Sequence, residues 1–187
     1  MRIISGYLKG RKINQPDDIN TRPLKDLTKE SIFNILQHSN LFSQEFKNSI
    51  ILDLFSGVGS FGLECLSRGA SFVTFIENYN EVLPILKKNI SNLNYQNKSL
   101  TIEKNVFSAL NFKKFKKKFD IIFIDPPYKE ENLLPLLKNI ITSNMLNNSG
   151  IIVIHRHKKE SEKYPSIFKV IEEKKYGISK VIFGNYF

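Results

Sequence analysis

The sequence predicts an α/β protein: a Rossmann-like, seven-stranded, mostly parallel sheet with helices on both faces, a C-terminal antiparallel hairpin and a small N-terminal extension. Three observations predict it. Apolar β-rich runs alternate with helical periodicity from residue 50 onward, a glycine-rich loop joins the first run to a helix, and the last two β-rich runs flank a short turn.

Ile50-Ile51-Leu52-Asp53-Leu54 reads as a buried strand, since a short, mostly apolar run suits a strand covered on both faces. Gly59 to Ser67 follows as a helix closed by Gly69, and Phe72 to Ile76 as a second strand. Further strands are expected at Leu100–Glu103, Ile121–Ile124 and Ile151–His155, with helices at about Glu81–Leu93 and Glu130–Thr142. Phe168–Lys175 and Lys180–Phe187 flank Tyr176-Gly177-Ile178-Ser179, the pattern of an antiparallel hairpin at a sheet edge.

Residues 1–46 are expected to form the extension and residues 47–187 the main domain. Arg2 to Ile13 mixes β-formers with Gly6 and Gly10, which predicts a short, basic, glycine-broken strand pair. After a polar link, Pro23 suits a first helical turn, and Leu27, Ile32, Phe33, Ile35 and Leu36 supply an apolar stripe to about His38. A second short segment, Leu41 to Phe46, leads into the first strand of the sheet.

With 187 residues, 41% of them hydrophobic, the chain closes one core of ordinary size. No apolar run approaches the roughly 20 residues that cross a bilayer, and Met1 to Gly6 lacks the apolar stretch of a signal peptide. A soluble, cytoplasmic, monomeric protein with no membrane partner is therefore expected. The lone cysteine, Cys65, excludes an internal disulfide and a cysteine-based zinc cluster; no metal is expected. A net charge of +10 suits a polyanionic partner, although lysine, asparagine and isoleucine all run high, as AT-rich coding alone would produce. The arginines say more: of Arg2, Arg11, Arg22, Arg68 and Arg156, three lie in the first 22 residues. Their forked donors cannot be imitated by lysine. The run from Lys113 to Lys118 reads equally as a solvated loop or an RNA contact.

Gly57-Val58-Gly59-Ser60-Phe61-Gly62 follows a strand and opens a helix, the setting in which glycines let a ligand approach the backbone. Alone, this loop would serve a dinucleotide equally well, with Glu77 holding ribose hydroxyls. Asp53 tilts the reading: a carboxylate suits the cationic amino group of S-adenosylmethionine and would repel a pyrophosphate. A second signal is Asp125-Pro126-Pro127-Tyr128, directly after an apolar strand and so at the carboxyl edge, where open α/β sheets bind ligands. The prolines cannot extend the strand, so they stiffen a loop with its carbonyls turned outward. An exocyclic amino group on a base is a poor nucleophile. Asp125 and the carbonyl of Pro126 can accept its two hydrogens and aim its lone pair, while Tyr128 stacks on an extracted base.

Asp-Pro-Pro-Tyr resembles the signature of amino-methyltransferases acting on nucleic acid, adenine-N6 and guanine-N2 enzymes alike. More of the chain resembles the bacterial family that methylates a guanine N2 of 16S ribosomal RNA. The matching residues are Arg2-Ile3-Ile4-Ser5-Gly6, Gly10-Arg11, Arg22-Pro23, Glu30 to Asn34, Asp53 to Gly59, Gly62-Leu63-Glu64 and Ser67-Arg68-Gly69-Ala70. Where the family has Arg-Pro-Thr-x-Asp-Arg-Val-Arg-Glu, this chain has Arg22-Pro23-Leu24-Lys25-Asp26-Leu27-Thr28-Lys29-Glu30; where it has Asp-Ala, this chain has Asn105-Val106. The resemblance implies S-adenosylmethionine as cofactor, held by Asp53, Phe55, Gly57, Gly59, Glu77, Asn78, Asn105 and Val106. It implies catalysis by Asp125, Pro126, Pro127 and Tyr128, and RNA contacts from Arg2, Lys9, Arg11, Lys12, Arg22 and Lys29. The partner so implied is 16S rRNA in an assembled or assembling small ribosomal subunit. Three other readings stay open at this point: an adenine-N6 methyltransferase on DNA or RNA, a dinucleotide-dependent oxidoreductase, and a non-catalytic RNA-binding protein.

Overall fold

The computed structural model describes residues 1–16, 24–39, 46–107, 112–115, 117–127, 130 and 132–187. Its strands are β1 (Ile50–Leu54), β2 (Phe72–Glu77), β3 (Ser99–Glu103), β4 (Phe119–Ile124), β5 (Leu146–His157), β6 (Lys169–Tyr176) and β7 (Ser179–Asn185). They form one sheet in the order β3-β2-β1-β4-β5-β7-β6. The first five run parallel, and β7 lies antiparallel between β5 and β6, so the expected hairpin closes one edge. Helices α1 (Asp26–His38), α2 (Ser60–Ser67), α3 (Leu83–Asn92) and α4 (Leu133–Thr142) flank it. No helix among the described residues is long and apolar enough to cross a membrane.

The sheet separates two cores by the two-residue period of its strands. Ile51, Val73, Phe75, Ile121, Phe123 and Val153 pack with the side chains of α1, α2 and α3. Leu52, Ile76, Ile122, Ile124 and Ile154 pack with those of α4. On the first face Phe61 of α2 stacks on Phe123 with ring centroids 4.0 Å apart, and Phe33 of α1 stacks on Phe61 at 5.1 Å. Close approach of α2 to the sheet needs Gly62, where an added Cβ would stand 2.3 Å from Phe75 Cε1 and 2.7 Å from Val73 Cγ1.

β5 begins at Leu146, five residues before the expected start, because Leu146 pairs with Phe119 across a polar stretch that has no apolar pattern. In α1 the buried face is Thr28, Lys29, Ile32, Phe33 and Leu36, while Leu27, expected in the apolar stripe, is exposed. Pro23 and most of the segment from Leu41 to Phe46 lie outside the described residues.

The extension shares the main core: Ile3, Ile13, Ile32 and Phe33 pack in the same cluster as Ile51 and Phe123. The expected strand pair within it reduces to one antiparallel bridge, Arg2 to Lys12. Backbone groups that would have lengthened the pair are engaged elsewhere. Ile4 and Ser5 donate their N–H groups to the two oxygens of Glu64 at 2.7 and 2.9 Å, and Tyr7 and Leu8 donate to the carbonyl and hydroxyl of Ser67. Gly6 sits so close to this helix that a Cβ would fall 1.9 Å from Ser67 O. The extension thus lies lengthwise along α2.

Candidate active site

From β1 the chain winds outward to β2 and β3, then returns to lay β4 on the other side of β1. Such a reversal opens a crevice at the carboxyl ends of the two central strands. Three acids mark that edge: Asp53 near the end of β1, Glu77 at the end of β2 and Asp125 after β4. The loop leaving β1 turns through positive φ at Phe55 (59°), Gly57 (54°) and Gly59 (84°). A Cβ on Gly57 would meet nothing within 4 Å, so the loop is open there, whereas one on Gly59 would stand 2.6 Å from Leu86 Cδ1.

Glu77 is fixed by three backbone donors. Gly57 N–H reaches Oε2 at 2.7 Å, and the N–H groups of Asn78 and Tyr79 reach Oε1 at 2.8 and 2.9 Å. A carboxylate offers about four lone-pair sites, so Glu77 keeps capacity for a hydroxyl donor. Asn78 itself is exposed beside it. Across the mouth the ring of Phe55 lies 5.4 Å from that of Phe107. Asn105 Oδ1 accepts the Phe107 N–H at 2.8 Å, and Val106 is buried. Asp53 is buried with Oδ2 on the Gly62 N–H at 3.0 Å, inside the first turn of α2. Burial holds its carboxyl well above the usual range; the Gly62 N–H opposes that shift, and the nearby acids Asp125 and Glu77 add to it. A cationic group brought to Asp53 would relieve this cost.

Asp125 has one oxygen, Oδ1, 2.8 Å from His155 Nδ1, and its side chain is 20% exposed. Pro126 is buried and Pro127 exposed. The carbonyl of Pro127 accepts from Glu130 N–H at 2.9 Å and from Arg156 Nη1 at 3.1 Å. Arg156, itself buried, also donates to Glu130 O through Nη2 and to Glu162 through Nε. The turn after β4 is therefore gripped from β5 at both its acid and its backbone. Tyr128 and Arg22 lie outside the described residues.

Arg2, Lys9, Arg11 and Lys12 are exposed on the extension. They are not equivalent in position. Lys29 Nζ ties Arg2 O to Ser60 Oγ near the start of α2, at 2.8 and 3.3 Å, while the Gly6–Gly10 turn meets Ser67 at its far end. The seven helical steps from Ser60 to Ser67 separate the two levels by about 10 Å. Lys29 itself does not reach solvent, contrary to its expected place among the RNA contacts. Its side chain is 0% exposed and lies 3.9 Å from both Glu64 and Asp26. Burial lowers its pKa, against the pull of Glu64 and Asp26. The physical reason is helix periodicity: Lys29 precedes Ile32 and Phe33 by three and four residues and so shares their face. The lysine run lies at the amino end of β4, opposite Asp125, with Lys113, Lys114 and Lys117 exposed.

Sequence reasoning missed His155 and Arg156 as site residues. The available signal was a histidine and an arginine closing an apolar strand. It also missed Asn89 of α3, whose buried amide donates to the carbonyls of Val58 and Asn14 at 3.0 and 3.1 Å and accepts the Asn14 N–H at 2.8 Å. Asn89 joins the glycine loop to the extension.

A family model described as "Conserved hypothetical protein 95" matches residues 1–185. A Buchnera aphidicola protein named "Ribosomal RNA small subunit methyltransferase D" is 36% identical over 92% of this chain and 86% of its own. Its namesake from Haemophilus influenzae is 32% identical over 95% of this chain and 90% of its own. Among solved structures, an inferred methyltransferase from Escherichia coli superposes with a TM-score of 0.81 at 27% identity, covering 98% of this chain and 96% of that one. The α/β sheet with its closing hairpin is thus the S-adenosylmethionine-dependent methyltransferase fold. On these matches the chain belongs to the Conserved hypothetical protein 95 family, the family of the small-subunit ribosomal RNA methyltransferases D.

Proposed function

We propose that this protein is a cytoplasmic enzyme that transfers a methyl group from S-adenosylmethionine to the exocyclic N2 of a guanine in 16S rRNA, within an assembled or assembling small ribosomal subunit. The observation that carries the reading is the meeting of two devices at one switch point: an open glycine loop beside Glu77 and Asp53, and the Asp125-Pro126-Pro127 turn on the adjoining strand. Family membership supports the RNA. A cationic group would stabilise the charged form of the buried Asp53 behind the loop, whereas a pyrophosphate would not, which weighs against a dinucleotide.

The residues present fit the cofactor. Asp53 would receive its cationic amino group, Glu77 its ribose hydroxyls, and Phe55, Asn105 and Val106 would border its adenine. When bound, S-adenosylmethionine supplies a methyl group on a positively charged sulfur: a new N–C bond forms from the amino lone pair as the C–S pair returns to sulfur. Asp125 Oδ2 and the Pro126 carbonyl orient the amino group by accepting its hydrogens, and Asp125 takes the proton that the nitrogen must lose. Tyr128 stacks on the base. The exposed cations of the extension hold RNA phosphates.

The deciding experiment is nucleoside mass spectrometry of 16S rRNA after incubation of undermethylated small subunits with labelled S-adenosylmethionine. Labelled N2-methylguanosine is expected; labelled N6-methyladenosine would overturn the choice of base. Asp125→Ala is expected to abolish turnover while sparing cofactor binding, and wild-type turnover in that variant would remove Asp125 from its role.

A further inference from the structure

We infer that His155 is a positioning residue for methyl transfer, holding one oxygen of Asp125 so that the other faces the substrate's amino group; this rests on the assignment of Asp125 made above. β4 and β5 pair in parallel with Ile124 beside Ile154, so Asp125 and His155 are the next residues along that register and project from the same face. Their side chains meet at 2.8 Å between Nδ1 and Oδ1. The histidine side chain is 8% exposed against 20% for the acid, so the pair is closed at the imidazole and open at the carboxylate.

An ionised carboxylate carries no proton, so the bond requires the proton to be on Nδ1. That bond occupies Oδ1 and sets the plane of the carboxyl group. Oδ2 is left as the oxygen available to an amino hydrogen. The direction matters because the nitrogen lone pair has to lie in line with the methyl group, and a misplacement of about 1 Å costs on the order of 100-fold in rate. Without the imidazole, Asp125 would rotate between orientations of which few point the amino group correctly. The strand pairing makes His155 a stiff support, since a site held by packed strands is more precise than one on a loop.

His155→Asn and His155→Leu separate this role from a packing role. The two side chains are close in size, and only the amide retains a donor that reaches Oδ1. With labelled S-adenosylmethionine and undermethylated small subunits, the Leu variant is expected to lose about 100-fold in kcat. Its KM for S-adenosylmethionine and its thermal transition should stay near wild type, while the Asn variant recovers most of the rate. Wild-type kcat in the Leu variant, or equal loss in two folded variants, overturns the proposal. A readout independent of turnover is nitrogen NMR of the side chains of His38, His155 and His157. His155 is expected to carry its proton on Nδ1 in the wild type and to lose that fixed state in Asp125→Ala; a wild-type proton on Nε2 alone overturns it. Asp125→Ala, run in parallel, distinguishes the failures. Full activity there sinks the Asp125 assignment itself, whereas a dead Asp125→Ala beside an active His155→Leu sinks only His155.

Discussion

Arg156 Nη1 donates to the carbonyl of Pro127 at 3.1 Å, from a side chain that has almost no contact with solvent. The same guanidinium reaches Glu130 O and Glu162, so three acceptors from two loops converge on one planar fork. Arg156→Met would leave Glu162, 9% exposed, without its counter-charge. Loss of one partner of a buried ion pair costs about 3–5 kcal/mol, and denaturant unfolding should register a loss of that size. Arg156→Lys keeps the charge but not the fork. It should fold, bind S-adenosylmethionine normally and turn over slowly; normal turnover would show that the turn after β4 holds its shape unaided.

Glu64 is the counterpart on the other side of the molecule. Glu64→Gln removes the charge facing Lys29 and Arg68, and should cost about 3–5 kcal/mol at neutral pH. Lys29 already titrates below the ordinary lysine value because it is buried, and losing Glu64 lowers it further. A depressed folded-state pKa means that stability is complete above the unfolded value, about 10.4, and is lost as pH falls through the folded value. The defect of Glu64→Gln should therefore shrink as pH rises toward that range. Unfolding curves measured across the interval check this, and a pH-independent deficit would contradict it.

Asp53 gives the opposite slope. Its folded pKa lies well above that of the unfolded chain, so its contribution is complete below about pH 4 and declines as pH rises through the folded value. Asp53→Asn keeps an acceptor for the Gly62 N–H and carries no charge. The ligand-free variant should be more heat-stable than wild type at neutral pH. A charged hydrogen bond contributes about 1.5–3 kcal/mol, so calorimetry should find S-adenosylmethionine bound about 10- to 100-fold more weakly. An unchanged Kd would take Asp53 out of the cofactor site.

The cations of the extension should differ by level. Arg2 and Lys12 lie at the end nearer the glycine loop, and replacing both with Gln should reduce the salt slope of RNA binding by about 2, roughly one unit per phosphate contact. Lys9, in the turn by Ser67, should matter less. Lys29→Met should lower stability without moving the slope, because the buried amine meets no phosphate. Filter binding over a salt series measures all of these. Equal slopes for wild type and the Arg2/Lys12 variant would exclude that end of the extension from the interface.

The central strands were legible because β1, β2 and β4 are covered on both faces and so read as mostly apolar runs. Asp53, Glu77 and Asp125 stood out against those runs, as acids at or near their carboxyl ends. Lys29 was misread because charge suggested a surface, although its helical phase with Ile32 and Phe33 pointed inward. The strand pair in the extension is present but shortened for a different reason. Ile3, Gly10 and Ile13 donate across it, while the N–H groups of Ile4, Ser5, Tyr7 and Leu8 are taken by Glu64 and Ser67, about 60 residues away, and nothing local reports such a claim. His155 became visible only once β5 lay beside β4, which strand order decides and residue pattern does not.

The contacts that fasten the extension to α2 span 59 to 62 residues of chain. Closing a loop of that length precedes any gain from the contacts it allows. The extension therefore depends for its anchors on a helix distant in sequence, and without α2 its exposed cations Arg2, Lys9, Arg11 and Lys12 would sit on an untethered segment. Only when α2 is in place do those same side chains acquire a direction, so the seating of Ile4 and Ser5 on Glu64 decides which way the cations of the extension face.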